Sequence, residues 1–394
     1  MKNRLYGDGV NDDRPAIQEL LDSGASRVAL PEPEKFYRIG AALALPSNIE
    51  FALGRFTQIK LMPDSNCLML KNADYAGGNS NICIEGGIWD MDHTKQWPNP
   101  LHFPNPEGKK YMDHVQETGY DPKTADVLPD IYFGTAIRFC RVKNFSMKNM
   151  TLKNPVTFGV QAAHMEYFTF ENITFDYTEG SPKLLNMDGI HLEGHCRNGV
   201  LRNLQGPCHD DLVALTADDS LFGPIENVLI DGIYASGSHS AVRLLSHLNT
   251  IKNVRITNVF GSFYTYCVGI TNYSASMAPE DRGYYENIAL DNIFANVSKG
   301  TTDVGSGNFS PVHIDYNLDI RNLKISGLHR DEKNHSNPTI YIGPGTRIGH
   351  MILSDVRQTN ATGRPMPLIE NNGAIEKLVL ESVDTGGEEL EKTR

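Results

Sequence analysis

No apolar run in this 394-residue sequence approaches the ~18 residues that a membrane-spanning helix requires. The opening MKNRLYGDG has no apolar core of a secretory leader, so the expected location is cytoplasmic, or outside the cytoplasm after removal of a leader. Cysteine is sparse. The six residues (Cys67, Cys83, Cys140, Cys196, Cys208, Cys267) are scattered singly, without CxxC or Cys/His zinc spacing. They read as reduced, small hydrophobic side chains. No metal site and no cofactor is expected. Basic charge is in deficit, with 36 Lys and Arg against 48 Asp and Glu and a net charge of −12. That balance argues against nucleic acid and anionic membranes as partners. It leaves room for an anionic sugar, which needs only a local basic patch.

Helical periodicity is scarce as well. It shows once, in GDGVNDDRPAIQELLDSG (residues 7–24). There Asp12 or Asp13 can cap a short helix, Pro15 suits its first turn and Gly24 follows its end. Short alternating runs follow at 27–31, 48–54, 67–72 and 81–92. Residues 93–130 have no helical or strand period and read as a long excursion. The aromatics of 89–133 (Trp89, Trp97, Phe103, Tyr111, Tyr120, Tyr132, Phe133) could wall a groove, or pack on one another.

From Val142 the chain repeats. Similar segments begin near 142, 165, 197, 225, 251, 285, 320, 348 and 375, a spacing of 23 to 35 residues. Each alternates apolar residues, turns at Asn or Asp, and alternates again. Two short strands per repeat with a bend between them predict a parallel β-helix, in which each turn buries its inner face against the next. The expected fold is all-β: a right-handed, single-stranded parallel β-helix forming one domain over 1–394, with a cap helix within 8–24 and regular repeats over 142–385. A β-sandwich is disfavoured because hairpin turns such as Asn-Gly between adjacent strands are scarce.

One stretch concentrates chemistry: NMDGIHLEGHCRNGVLRNLQGPCHDD, Asn186 to Asp211. Asp188 lies at one end and Asp210–Asp211 at the other, about one repeat apart, so successive turns would stack them. Three carboxylates on one surface repel unless they bind a cation or share protons. Neighbours on a strand face opposite ways. Asp210 and Asp211 can both reach a groove only at a bend, for which Gly206 and Pro207 provide. Taken singly, each Asp could be a turn former. Arg243 is four residues beyond His239 and shares its face; it could grip a sugar carboxylate or pair with Asp211 or Asp188. His164, about one turn before Asn186, is a candidate for a neighbouring subsite. His191 is a weaker one, and Asp218–Asp219 read as a turn or a solvated corner.

These residues resemble the polygalacturonase-like glycoside hydrolases of family 28, of the pectate-lyase-type β-helix superfamily. The opening 7–24 is similar to the superfamily's capping segment, and GGIWDMD resembles the motif preceding the family's substrate loops. Asn186-Met187-Asp188 is similar to its Asn-Thr-Asp motif, and His209-Asp210-Asp211 to its Gln/His-Asp-Asp motif. His239, in SGSHS, stands where the family has Gly-His-Gly. The family's Arg-Ile-Lys is missing; the aligned segment is YCVGITN (266–272).

The resemblance implies an inverting glycoside hydrolase acting on a pectin-like or other oligo- or polysaccharide. Asp210 would be the general acid, Asp188 and Asp211 would hold and deprotonate water, and His239 would tune the acid. Asn186, His209, Arg243 and His164 would bind substrate. A 93–130 excursion closing one end of the groove would make the enzyme act from chain ends. Two other functions fit the same pattern: a Ca²⁺-assisted lyase using Arg243 as its base, and a carbohydrate-binding β-helix without catalysis. Homo-oligomerisation through a side sheet stays open.

Overall fold

The bends foreseen at Asn are asparagines in the left-handed backbone region. Asn198, Asn227, Asn253 and Asn287 have φ between 55° and 59°. Asparagine tolerates this conformation because its short amide bonds locally. Here the amides also bond to one another along the molecule. Asn227 donates to Asn198 at 3.0 Å, Asn253 to Asn227 at 2.8 Å, Asn287 to Asn253 at 2.9 Å and Asn322 to Asn287 at 2.9 Å. Each turn is thereby held in register with the next.

The computed structural model describes residues 3–272, 278, 280–298 and 309–393. The chain coils into two long sheets, one of 16 strands and one of 12. Every pairing between named strands is parallel, each strand bonding to those one turn before and after it. This is a parallel β-helix. The long strands, such as Ile225–Ser238 and Gly283–Val297, bend at Asn yet stay continuous. A further short strand in each turn forms the 12-stranded sheet, among them Ile190–Leu192, Asp211–Thr216, Ser240–Leu245, Val268–Thr271 and Val312–Ile314. The sequence pattern shows two segments per repeat and, of these further strands, only those after Asp211 and around Arg243; strands of three residues, such as Ile190–Leu192 and Val312–Ile314, are too short to show an alternation.

Inward residues stack in straight rows. Ile190, Val213, Val242, Val268, Val312, Ile340 and Ile369 face one another in register and are fully buried. Each such side chain contributes roughly 1.5–3 kcal/mol by leaving water. β-Branched side chains suit this pleated wall, being stiff at χ1.

The cap helix is Arg14–Leu21. Ile17 and Leu21 enter the core, and Asp12 accepts from the Arg14 amide at 2.9 Å. Gln18 pairs with Ala44 through two 2.9 Å bonds, meeting the backbone of the terminal strand Leu43–Leu45 of the 12-stranded sheet. That edge would otherwise recruit another strand.

The 93–130 excursion contains a helix, Tyr111–Thr118, that the sequence reading did not foresee. It opens on a box at Lys110, with Asp113 accepting from the Lys110 amide, and ends at Gly119 in the left-handed region. Trp89, counted among the groove aromatics, is fully buried in the core against Phe51. The others largely pack on one another: Trp97 on Tyr132, and Tyr111 on Phe133.

Candidate active site

The acids come together through an antiparallel bridge between Met187 and His209, in which the His209 amide donates to the Met187 carbonyl at 3.1 Å. This departure from the parallel ladder sits just ahead of the strands Ile190–Leu192 and Asp211–Thr216. It is the bend that the Asp210–Asp211 pair requires. Asp188 and Asp211 end in the floor, with side chains 2% and 1% exposed, while Asp210 stands out at 21%.

Each acid has a different set of neighbours. Asp188 Oδ2 accepts from His191 Nδ1 at 2.7 Å, and its Oδ1 has no protein partner. Asp211 Oδ1 accepts from the Ser240 hydroxyl at 2.5 Å and lies 3.5 Å from the Tyr266 hydroxyl. Its Oδ2 has no hydrogen bond and is 3.7 Å from Arg243 Nη1. Asp210 Oδ2 accepts from Asn186 Nδ2 at 3.1 Å, and its Oδ1 lies 3.5 Å from His239 Nδ1.

Burial, then the charge of Asp210, hold Asp188 well above the usual carboxylate range, against the pull of His191. The same two causes raise Asp211, against Arg243. Burial first, and like-charge crowding second, thus favour the protonated forms of the two floor acids. Two buried carboxylate oxygens, Asp188 Oδ1 and Asp211 Oδ2, lack hydrogen bonds. Buried polar atoms of this kind are normally satisfied by water or ligand.

Other predicted residues divide. Asn186, at φ 52°, bridges Asp210 to the excursion, its Oδ1 accepting from His102. His239 packs edge-on against Tyr264 at 5.2 Å. His209 is placed for structure: its Nε2 donates to the Tyr177 carbonyl at 3.1 Å, and burial lowers its pKa. Arg243 bonds Thr271 Oγ1 at 3.3 Å and pairs with Asp211. Burial opposes its charge, but Tyr266 and Asp211 outweigh this and raise its pKa. His164 is not brought to the acids. It lies at the opposite end of the strand Val160–Ala163, stacked on His195 at 4.3 Å. The long turn between Asp176 and Asp188 makes counting back one repeat from Asn186 land at the wrong corner.

Four contributors escaped the sequence reading or were underrated by it. His102 lies in a segment without period. Tyr266 sits where the ring needs Gly269 beneath it, since a Cβ there would meet the ring at 2.6 Å. His191 links Asp188 to a second acidic pair, with its Nε2 3.5 Å from Glu193 and 3.7 Å from Asp219. Asp219 is therefore no mere corner residue. Asp218 is: its carboxylate accepts from the amides of His247, Leu248 and Asn249.

The excursion covers the floor on one side of the acids. Phe133 packs on Phe158 at 4.9 Å, and Phe158 stacks on His191 at 4.3 Å. Arg138, Gln161 and His191, one outward row of the 12-stranded sheet, are buried. Asp210, Asp211 and His239 each offer a ligand atom within 4.8 Å of the others. Ca²⁺ takes six to eight oxygens, and an imidazole nitrogen is a poor third donor for it.

The chain belongs to the glycosyl hydrolases family 28, whose family model matches residues 107–356. Comparison with curated proteins finds no match. Among solved structures, endopolygalacturonase I from Stereum purpureum, complexed with two galacturonate, is similar at TM-score 0.56 and 14% identity, over 96% of this chain and 99% of that one. The Streptococcus pneumoniae surface protein and adhesin PfbA is similar at TM-score 0.54 and 14% identity, over 99% and 97%. The family 28 exopolygalacturonase of Yersinia enterocolitica is similar at TM-score 0.51 and 14% identity, over 97% and 76%. At such identities the likeness is one of fold, and it extends to an adhesin as well as to hydrolases.

Proposed function

We propose that this chain is a glycoside hydrolase that cleaves a pectin-like polysaccharide from a chain end by single displacement. The observation that carries this is the pair of unsatisfied buried oxygens, Asp188 Oδ1 and Asp211 Oδ2, beside the projecting Asp210. Two buried carboxyl groups with open oxygens suit one water, which they would orient, and the one that is ionised would deprotonate it. Asp210, the acid that reaches toward solvent, would protonate the leaving oxygen, with Asn186 holding its carboxyl and His239 Nδ1 3.5 Å from its Oδ1. A binding-only protein gains nothing from burying carboxylates that repel one another.

The family membership and the galacturonate bound by the Stereum enzyme support a pectin-like substrate. Closure of the floor by Phe133 and Phe158 supports attack at chain ends. Arg243 speaks against the lyase: its neighbours favour the charged form, and a charged guanidinium cannot serve as base. It is also engaged with Asp211 and Thr271, which favours the ion-pair reading over a fork for a sugar carboxylate. The oxygens of Asp210 and Asp211 lie within 4.8 Å, closer than the roughly 6.5–9.5 Å usual between inverting carboxyls and nearer the retaining spacing. Here the water is assigned to the Asp188–Asp211 side, so the anomeric outcome is a strict test of the mechanism.

The test of activity is reducing-end release from oligogalacturonates, rhamnogalacturonan fragments and neutral α-linked oligosaccharides, with and without EDTA. Release that survives EDTA and falls by about 10²–10⁴ in Asp210→Asn is expected of a lost general acid. Loss of activity in EDTA would replace the hydrolase by the lyase, and an unaffected Asp210→Asn would remove the acid assignment.

A further inference from the structure

The outward row that carries Arg243 continues away from the covered end. Arg243 is level with Gly269, Gly269 with His313, and His313 with Tyr341, on successive strands of the 12-stranded sheet. At about 4.8 Å per strand, His313 lies roughly 10 Å and Tyr341 roughly 14 Å from Arg243. Here the surface opens into a groove of about 720 Å³, walled by Phe309, His313, Tyr341 and four prolines. The rings form one rigid wall: His313 stacks on Tyr341 at 5.0 Å, Phe309 meets His313 at 4.5 Å, and Tyr266 joins His313 to the acid cluster. Such a wall is already ordered before anything binds, so little freedom is lost on binding.

The charges of this groove differ from what an anionic polymer needs. Its lining holds two carboxylates, Asp315 and Glu370, and one cation, Lys392. Burial pushes His313 down to about 4, so its ring is neutral at ordinary pH. Burial favours the neutral form of Asp315, so Glu370 and Lys392 leave the groove without the net positive charge that would hold a uronate.

With the other side of the acids covered by Phe133 and Phe158, a polymer reaching Asp210 has this groove as its path. We infer that the groove along His313 and Tyr341 is a saccharide-binding site for uncharged sugar units, two to three strands beyond the acids. The inference rests on the glycosidase reading for its polymer and adds the kind of unit held at this distance. The enzyme would therefore favour polymers whose uronates are interrupted or esterified there.

The experiment is calorimetric titration of the full chain, carrying Asp210→Asn to suppress turnover, with a neutral linear galactotetraose and with tetragalacturonate. The neutral probe should bind at least tenfold more tightly. Tyr341→Ala should weaken it about tenfold, at a melting temperature that shows the fold intact. Glu370→Gln, which leaves the rings in place, should narrow the preference by improving tetragalacturonate. Equal or tighter binding of tetragalacturonate, no binding of the neutral probe, or indifference to both substitutions would overturn the inference. Hydrolysis is read separately on the chain with Asp210 intact. Binding without hydrolysis would sink the glycosidase and spare the groove; hydrolysis with indifferent variants would do the reverse.

Discussion

His191 donates from Nδ1 to Asp188 at 2.7 Å while its other nitrogen faces Glu193 at 3.5 Å. One buried imidazole thus stands between the floor acid of the cluster and a second acidic pair. Burial opposes its charge, but Glu193, Asp188 and Asp219 outweigh this and raise its pKa to about 9. Near neutral pH it is a cation beneath Asp188.

This has a consequence for stability. A histidine whose folded pKa lies above its unfolded value of about 6.5 stabilises fully below that value. The contribution is lost as pH rises through about 9. The shift corresponds to something on the order of 3 kcal/mol. The melting temperature should therefore fall between pH 6.5 and 9, and His191→Gln should flatten that fall while melting lower at pH 6. Parallel curves for the two proteins would show that His191 is not charged in the folded state.

Asn186 transmits the position of the excursion to the acid. His102 donates to its Oδ1, and its Nδ2 donates to Asp210 at 3.1 Å. Asn186→Ala removes a hydrogen bond, worth about 0.5–1.5 kcal/mol. The expected result is a fall in kcat of up to about 10-fold. His102→Ala should reproduce part of it. A change confined to KM would mean that Asn186 serves binding alone.

Gly269 leaves room for the Tyr266 ring, whose hydroxyl approaches Asp211 at 3.5 Å. Gly269→Ala forces the ring aside, because the new carbon would sit 2.6 Å from it. A displacement of this size near the reacting atoms lowers rates on the order of 10²-fold. The kcat/KM of the folded variant checks it; an unchanged value would exclude Tyr266 from the site.

The asparagine ladder is a stability device remote from the acids. Asn253 both donates to Asn227 and accepts from Asn287, at φ 56°. Asn253→Ala loses both bonds and puts alanine in the left-handed region, at a cost of about 1–3 kcal/mol. Denaturant unfolding should show the loss, with kcat unaltered. An unchanged midpoint would mean that backbone pairing alone sets the register.

The fold was legible because the repeats announce themselves. Asn at each bend and Val or Ile on each inner face recur whatever the local chemistry. Asp188, Asp210, Asp211 and His239 were legible for a related reason: their spacing follows the coil. What depended on loops was not. His102 is brought to Asn186 by an excursion with no period, and the helix Tyr111–Thr118 within it is short and largely polar. His164 was misplaced because unequal turns break residue counting. The partners of His191 were hidden because Ile190–Leu192 is too short to reveal which way its central side chain points.

The most direct test of the account is proton NMR of an oligosaccharide during its first turnovers, comparing the unaltered chain with Asp210→Asn. The account predicts a new reducing end that appears first in the inverted anomeric form, without olefinic signals, and that nearly vanishes in the variant. A retained anomer would contradict the single displacement. An olefinic product, or equal rates in the two proteins, would contradict the three-acid hydrolase itself.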